Sequence, residues 1–140
     1  MKKLLFITAC ICSSFANAQT QSFPANKTYA NGLMATTKNS QDVMDNYTIW
    51  KNNFVENCNN GRSRVKFDTS SQTVSEGIGY GMLLSVYMTD KTLFDSLWLY
   101  YKDNVNSNGV MNWKINGCSG TIGQNGATDA ELDAAFALIV

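Results

Sequence analysis

The sequence contains no histidine. For this chain acting alone, that excludes a Ser-His-Asp hydrolase and any metal site built on imidazole. Charge is scarce and balanced, with eleven Lys and Arg against eleven Asp and Glu. Such a chain has no electrostatic footprint for nucleic acid or for an anionic membrane surface. Its acids are not grouped as in a calcium loop, so no metal and no cofactor is expected. Proline occurs once, at Pro24. The long apolar run at the N-terminus is too short to span a bilayer.

That run reads as a leader. Lys2 and Lys3 precede an apolar stretch over 4–16, and Ala16-Asn17-Ala18 gives a small-x-small cleavage pattern, with the cut expected before Gln19. Ile7-Thr8-Ala9-Cys10 is similar to a lipobox, but cutting before Cys10 leaves a very short hydrophobic segment, so lipid anchoring ranks second. The mature protein is therefore expected outside a bacterial cytoplasm, secreted or periplasmic. Losing Lys2 and Lys3 leaves nine basic residues against eleven acidic ones. Of the four cysteines, Cys58 and Cys118 remain, now in an oxidising compartment. A disulfide is the simple reading, and two free thiols the alternative.

Residues 19–39 are polar and predict an extended lead-in. Residues 40–140 predict one helical unit. Ser40 can cap a helix over 41–57 whose face carries Val43, Tyr47, Trp50 and Phe54. Asn59-Asn60-Gly61 stops it, and 64–68 alternates through Val65 and Phe67 as a short extended segment. The stretch 75–88 is apolar nearly all round, which marks a helix buried on most sides. Gly77, Gly79 and Gly81 each cost roughly 1 kcal/mol there relative to alanine, so close approach by another backbone or a ligand is implied. A further helix over 92–105, opened by Asp90 or Thr92, presents Leu93, Phe94, Leu97, Trp98 and Tyr101. Residues 104–126, rich in Asn, Gly and Ser, read as a long loop. A last helix starts near Thr128, with Leu132, Ala135, Phe136 and Ile139 inward. It runs to Val140 without a stop signal, so the chain is expected to be the N-terminal piece of something longer.

Two acids stand at helix starts. Thr73 with Glu76 and Thr128 with Glu131 both fit a Thr-x-x-Glu capping box. Glycoside hydrolysis needs a carboxyl that keeps its proton, and burial at the top of a glycine-lined helix favours that state, whereas the helix N-terminus favours the anion. For Glu76 the capping role is the simpler reading from spacing alone. Asp129 equally fits an acid in a first helical turn, and Asp133 fits a solvated or paired one. Trp113, in a polar stretch, is either a platform for the apolar face of a sugar or an anchor for the loop. Trp50 and Trp98 fit the core, and Tyr80 fits either side.

The residues 73–84, TVSEGIGYGMLL, resemble the SEGxGYGM signature of glycoside hydrolase family 8. Phe94-Asp95-Ser96-Leu97-Trp98, Met111-Asn112-Trp113-Lys114 and Ala127-Thr128-Asp129-Ala130 follow in the family's order. The resemblance spans 41–140. It implies an all-α fold, an (α/α)6 barrel of which this chain holds about the first third. It implies inverting hydrolysis of a β-1,4-linked polysaccharide, cellulose, β-glucan or xylan, by a protein expected to be monomeric at full length. Glu76 matches the family's general acid, Asp129 the acid that holds the sugar at the cleavage point, and Trp113 a stacking tryptophan, with Tyr80 as a second substrate contact. The family usually has Asp where Glu131 stands and Ile or Met where Ala134 stands. Its general base is expected beyond Val140, so the fragment alone is expected to be inactive. A non-catalytic carbohydrate-binding protein and a helical domain whose acids are only caps remain the rival readings.

Overall fold

A computed structural model describes residues 30–33, 36–37 and 39–140. The leader, the cleavage site, Cys10 and most of the lead-in, including Pro24, lie outside the described residues. The elements run α1 (Ser40–Phe54), β1 (Val55–Asn59), β2 (Arg62–Val65), β3 (Gln72–Val74), α2 (Ser75–Tyr87), α3 (Lys91–Asp103), β4 (Lys114–Asn116), β5 (Thr121–Gly123) and α4 (Thr128–Ile139).

The expected all-α architecture, the opening third of an (α/α)6 barrel, does not describe these residues. Five strands in two antiparallel sheets accompany the four helices, so the fold is mixed α/β. Both sheets sit where the sequence is polar. The first helix ends at Phe54, earlier than its pattern suggests, and the chain passes directly into β1. Asn59, Asn60 and Gly61 all take positive φ, so the expected helix stop is the turn of the β1–β2 hairpin. The supposed loop over 104–126 contains β4 and β5, which pair with β3 in the order β3-β4-β5. Strands of three residues carry no readable alternation. Cys58, at a register shift in β1, forms a disulfide with Cys118 in the β4–β5 connection, Cα to Cα 5.3 Å, and so ties the two sheets together.

The core gathers Ile78 and Met82 of α2, Leu93, Leu97, Tyr100 and Tyr101 of α3, and Val65, Met111 and Ile115 from the strands and their connections. The apolar stretch is indeed a helix, α2, packed against α4, α3, β2 and β3. α4 buries Ala130, Ala134 and Ala137. The expected inward residues face out: Leu132 is 66% and Ile139 82% exposed, and Ala135 and Phe136 are exposed too. The reason is distance. A Cβ at Gly79 would lie 3.1 Å from the Ala130 carbonyl oxygen, so the α2–α4 contact admits only small residues.

Two polar clusters hold the frame. Arg64, read as the outward residue of an extended segment, is only 3% exposed. Its guanidinium donates to Glu56 at 2.6 Å, to the Ser70 and Gln72 carbonyls at 2.7 and 3.0 Å, and to the Thr73 hydroxyl at 3.1 Å. Asp90 caps α3 by accepting the Leu93 N–H at 3.1 Å, and it also takes Tyr47 Oη at 2.8 Å and Lys51 Nζ at 2.5 Å from α1. Burial pushes the Asp90 carboxyl up, but the bonds from Lys51, Leu93 and Tyr47 outweigh it and hold the group below the usual carboxylate range. α1 itself is capped by Asn39 rather than Ser40.

Candidate active site

The start of α2 is built by the sheet beneath it. Val74 pairs with Lys114 across β3 and β4, and the Ser75 N–H donates to the Trp113 carbonyl at 2.9 Å. One peptide hydrogen bond therefore joins the residue before Glu76 to Trp113. The Thr73–Glu76 capping box does not form. Thr73 is a buried strand residue whose hydroxyl donates to the Val65 carbonyl at 2.8 Å and accepts from Arg64. The N-cap of α2 is Val74, with no side-chain bond to the helix. The Thr128–Glu131 box fails likewise. Ala127 is the N-cap of α4, and Glu131 accepts the Tyr101 hydroxyl instead. Valine and alanine offer no side-chain acceptor, so the spacing of threonine and glutamate was misleading at both places.

Glu76 is exposed. The described residues do not bury it, against the expectation of a carboxyl kept out of water at the helix top. Its partner is Tyr80, one turn along, itself 51% exposed. The negative charge of Glu76, and then the hydrogen bond to it, raise the Tyr80 phenol above its ordinary pKa, with smaller contributions from Asp133 and Asp129. Tyr80 thus shows that three carboxyl groups share one side of the α2–α4 pair. Asp129 lies in the first turn of α4 and is exposed. Asp133 follows one turn later, its Cβ 3.1 Å from where a Cβ on Gly79 would be. The sequence reading treated Asp133 as solvated or paired. The signal it offered was its i, i+4 spacing from Asp129, which puts both on one helix face.

Trp113 is 42% exposed. Its N–H donates to the Asn125 carbonyl at 2.8 Å, and its indole lies against Gly123, where an added Cβ would come within 2.5 Å of Cε2 and Nε1. Glycine is required there by the ring. Lys114 Nζ stands 5.5 Å from the Trp113 ring centroid and 5.9 Å from that of Phe67. The backbone of Trp113 is thus anchored while its ring stays partly open to solvent. Trp50 and Trp98 are partly buried, stacked on Tyr47 and Tyr101. Among the described residues no group of three acids or thiols is arranged to hold a metal ion, and no helix is long and apolar enough to cross a membrane. The cavity of about 350 Å³ lined by Lys51, Arg62, Asp95 and Ser96 includes none of the site residues.

Comparison with known proteins places this arrangement. Endoglucanase 2 of Ruminiclostridium josui is 41% identical over 144 residues, covering 95% of this chain and 31% of its own length. Beta-glucanase of Niallia circulans is 34% identical, covering 93% of this chain and 35% of its own. Among solved structures, the apo beta-1,3-1,4-glucanase from Paenibacillus sp. X4 superposes with a TM-score of 0.73 at 35% identity, over 86% of this chain and 35% of that one. Endo-beta-1,4-glucanase CMCax from Acetobacter xylinum gives 0.58 at 28% identity, over 69% and 30%. The chain spans about a third of the length of the relatives it matches. The family described as glycosyl hydrolases family 8 matches residues 21–140, and the chain belongs to that family.

Proposed function

We propose that the full-length protein is a secreted bacterial glycosidase that hydrolyses β-1,4-linked glucan with inversion, and that Glu76 is its proton donor. The observation that carries this reading is the position of Glu76 in a chain of this family. It opens α2, caps nothing, and stands with Tyr80, Asp129 and Asp133 beside the part-exposed Trp113. In inverting hydrolysis one carboxylic acid protonates the leaving oxygen while a second carboxylate, roughly 6.5–9.5 Å away, activates a water on the opposite face of the sugar. Glu76 takes the first role. The role requires a bound sugar to cover it, because water around a carboxyl favours the anion. Asp129 holds the sugar at the cleavage point, and Trp113 stacks on a neighbouring ring with Tyr80 as a further contact. The second carboxylate is assigned to the part of the relatives' length that this chain does not span. The names of the similar proteins favour glucan over xylan as substrate.

The test is Glu76→Gln in the full-length protein. Reducing-sugar release from soluble β-glucan should fall at least about 100-fold, the usual scale for a lost general acid, while oligosaccharide affinity stays within a few-fold. Retained turnover would remove Glu76 from the role. Xylan assayed alongside, and the anomer first released, test the substrate and the stereochemistry separately.

A further inference from the structure

Beside Trp113 lies a cavity of about 300 Å³, between the turn closed by the Val105–Met111 bridge and the segment that enters α4. Its wall is made entirely of uncharged polar residues, among them Asn106, Asn108, Asn112, Thr121, Gln124 and Asn125. Such a wall has no charge to attract an ion and little apolar surface to attract a hydrocarbon. Primary amides present donors and acceptors side by side, and hydroxyls present both at one atom. That pattern matches the vicinal hydroxyl groups of a neutral sugar. The volume is at the small end of ligand clefts, enough for about one sugar ring.

The wall is braced from within. Asn112 Nδ2 donates to the Asn104 carbonyl at 3.2 Å and to Thr121 Oγ1 at 3.4 Å, while its Oδ1 accepts the Asn125 N–H at 3.1 Å. Asn106 Oδ1 accepts the Asn108 N–H at 2.8 Å, which leaves Asn106 Nδ2 buried with no hydrogen-bond partner. An unpaired buried donor costs about 1–3 kcal/mol, and a ligand hydroxyl is the kind of group that would relieve it. Asn108 and Gln124 are exposed, and among the described residues their side-chain amides bond to no other protein group. The cavity also adjoins the proposed cleavage site. Asn112 precedes Trp113, and the Trp113 N–H holds Asn125, which leads into the helix carrying Asp129.

We infer that this cavity is an outer subsite for a neutral β-linked oligosaccharide, where Asn108, Gln124 and Asn106 bond the hydroxyls of a sugar ring lying beyond Trp113. The inference rests on the glycosidase reading for its place in the cleft, but its binding is measurable without turnover. The variant is the double substitution Asn108→Ala and Gln124→Ala, both at exposed positions. Affinities for cellohexaose and cellotriose are measured by calorimetry on the full-length protein in the Glu76→Gln background, so that the oligomers survive the titration. Two lost amide–hydroxyl bonds should weaken cellohexaose about tenfold, with cellotriose changed less than twofold. Unchanged cellohexaose affinity, or equal weakening of both oligomers, overturns the subsite. If the protein with Glu76 intact cleaves glucan and the double variant still binds cellohexaose normally, only the subsite is lost. If cellohexaose binding depends on Asn108 and Gln124 but no sugar is ever released, only the glycosidase reading is lost.

Discussion

Gly77, Gly79 and Gly81 look alike in the sequence, yet the structure predicts that alanine will have opposite effects among them. In a helix interior alanine is favoured over glycine by about 1 kcal/mol. At Gly77 the new methyl would meet Val65 Cγ1 at 3.6 Å and Val74 Cγ2 at 3.8 Å, ordinary contact distances. Nothing opposes the helix preference, so Gly77→Ala should stabilise by about 0.5–1 kcal/mol. At Gly81 the methyl would stand 2.9 Å from Val65 Cγ2 and 3.0 Å from Leu97 Cδ1, both buried. Overpacking costs about 1–3 kcal/mol and exceeds the gain, leaving a net loss of up to about 2 kcal/mol. At Gly79 the obstacle is the Ala130 carbonyl oxygen, together with Asp133 Cβ, each at 3.1 Å. Backbone cannot rotate away as a side chain can, so α4 must shift as a unit. A similar loss of stability is expected, with Asp129 and Asp133 displaced relative to Glu76 and Tyr80. Urea unfolding of the three full-length variants at constant slope gives the order directly. The reasoning fails if Gly77→Ala loses 1 kcal/mol or more, or if Gly81→Ala unfolds at or above the wild-type midpoint.

Three further outcomes are expected. Asp90→Asn keeps an N-cap acceptor but removes the charge facing Lys51, and should cost about 1 kcal/mol at pH 7. Because the folded Asp90 carboxyl lies below its unfolded value near 3.9, its contribution is fully present above pH 4 and disappears as pH falls through the lower folded value. The gap between wild type and Asp90→Asn in urea midpoints should therefore shrink at pH 3, and an unchanged gap would contradict the assignment. Removing the Cys58–Cys118 bridge, whose partners are 60 residues apart, should cost about 4 kcal/mol on the loop-closure argument. Paired denaturation of the native protein and the double Cys→Ser variant measures it, and a loss below about 1 kcal/mol would show that the bridge constrains little. Tyr101→Phe leaves Glu131, whose Oε1 is already buried without a partner, lacking its hydroxyl donor as well. It should cost about 1–3 kcal/mol, and adding Glu131→Leu should recover part of that loss. Additive losses in that double-mutant cycle would deny the interaction.

What could be read from the sequence was local. The beginning and length of α2 follow from an unbroken apolar run, and α3 and α4 follow from helical spacing and an acid near each start. The strands lay beyond reach because none of them is held by its own pattern. β3 pairs with β4 across some forty residues of chain, and the β1 bulge is tied to the β4–β5 connection by the disulfide. Even where the helix was correctly placed, its face was not. Leu132, Phe136 and Ile139 are the larger apolar residues of α4, and apolar size suggested burial. The partner decided otherwise. α2 presents Gly79, and two helices meeting at a glycine come too close for anything larger than alanine.

The site shows the same limit in the opposite direction. Thr-x-x-Glu spacing made a structural role for Glu76 the economical reading, and the fold withdraws it by giving each partner another task. Thr73 is spent on Val65 and Arg64, and the first N–H of α2 is satisfied by the Trp113 carbonyl. What remains for Glu76 is a hydrogen bond to the hydroxyl of Tyr80, itself half exposed. Two groups in contact with water gain little from meeting each other. Arg64 is the contrast: buried, bonded to a carboxylate, two carbonyls and a hydroxyl, and expensive to remove. Stability explains an arginine at 64 and does not explain a glutamate at 76. Glu76→Gln should therefore leave the unfolding midpoint within about 0.5 kcal/mol of wild type. A collapse of turnover in that variant then reports chemistry at the carboxyl group rather than damage to the fold.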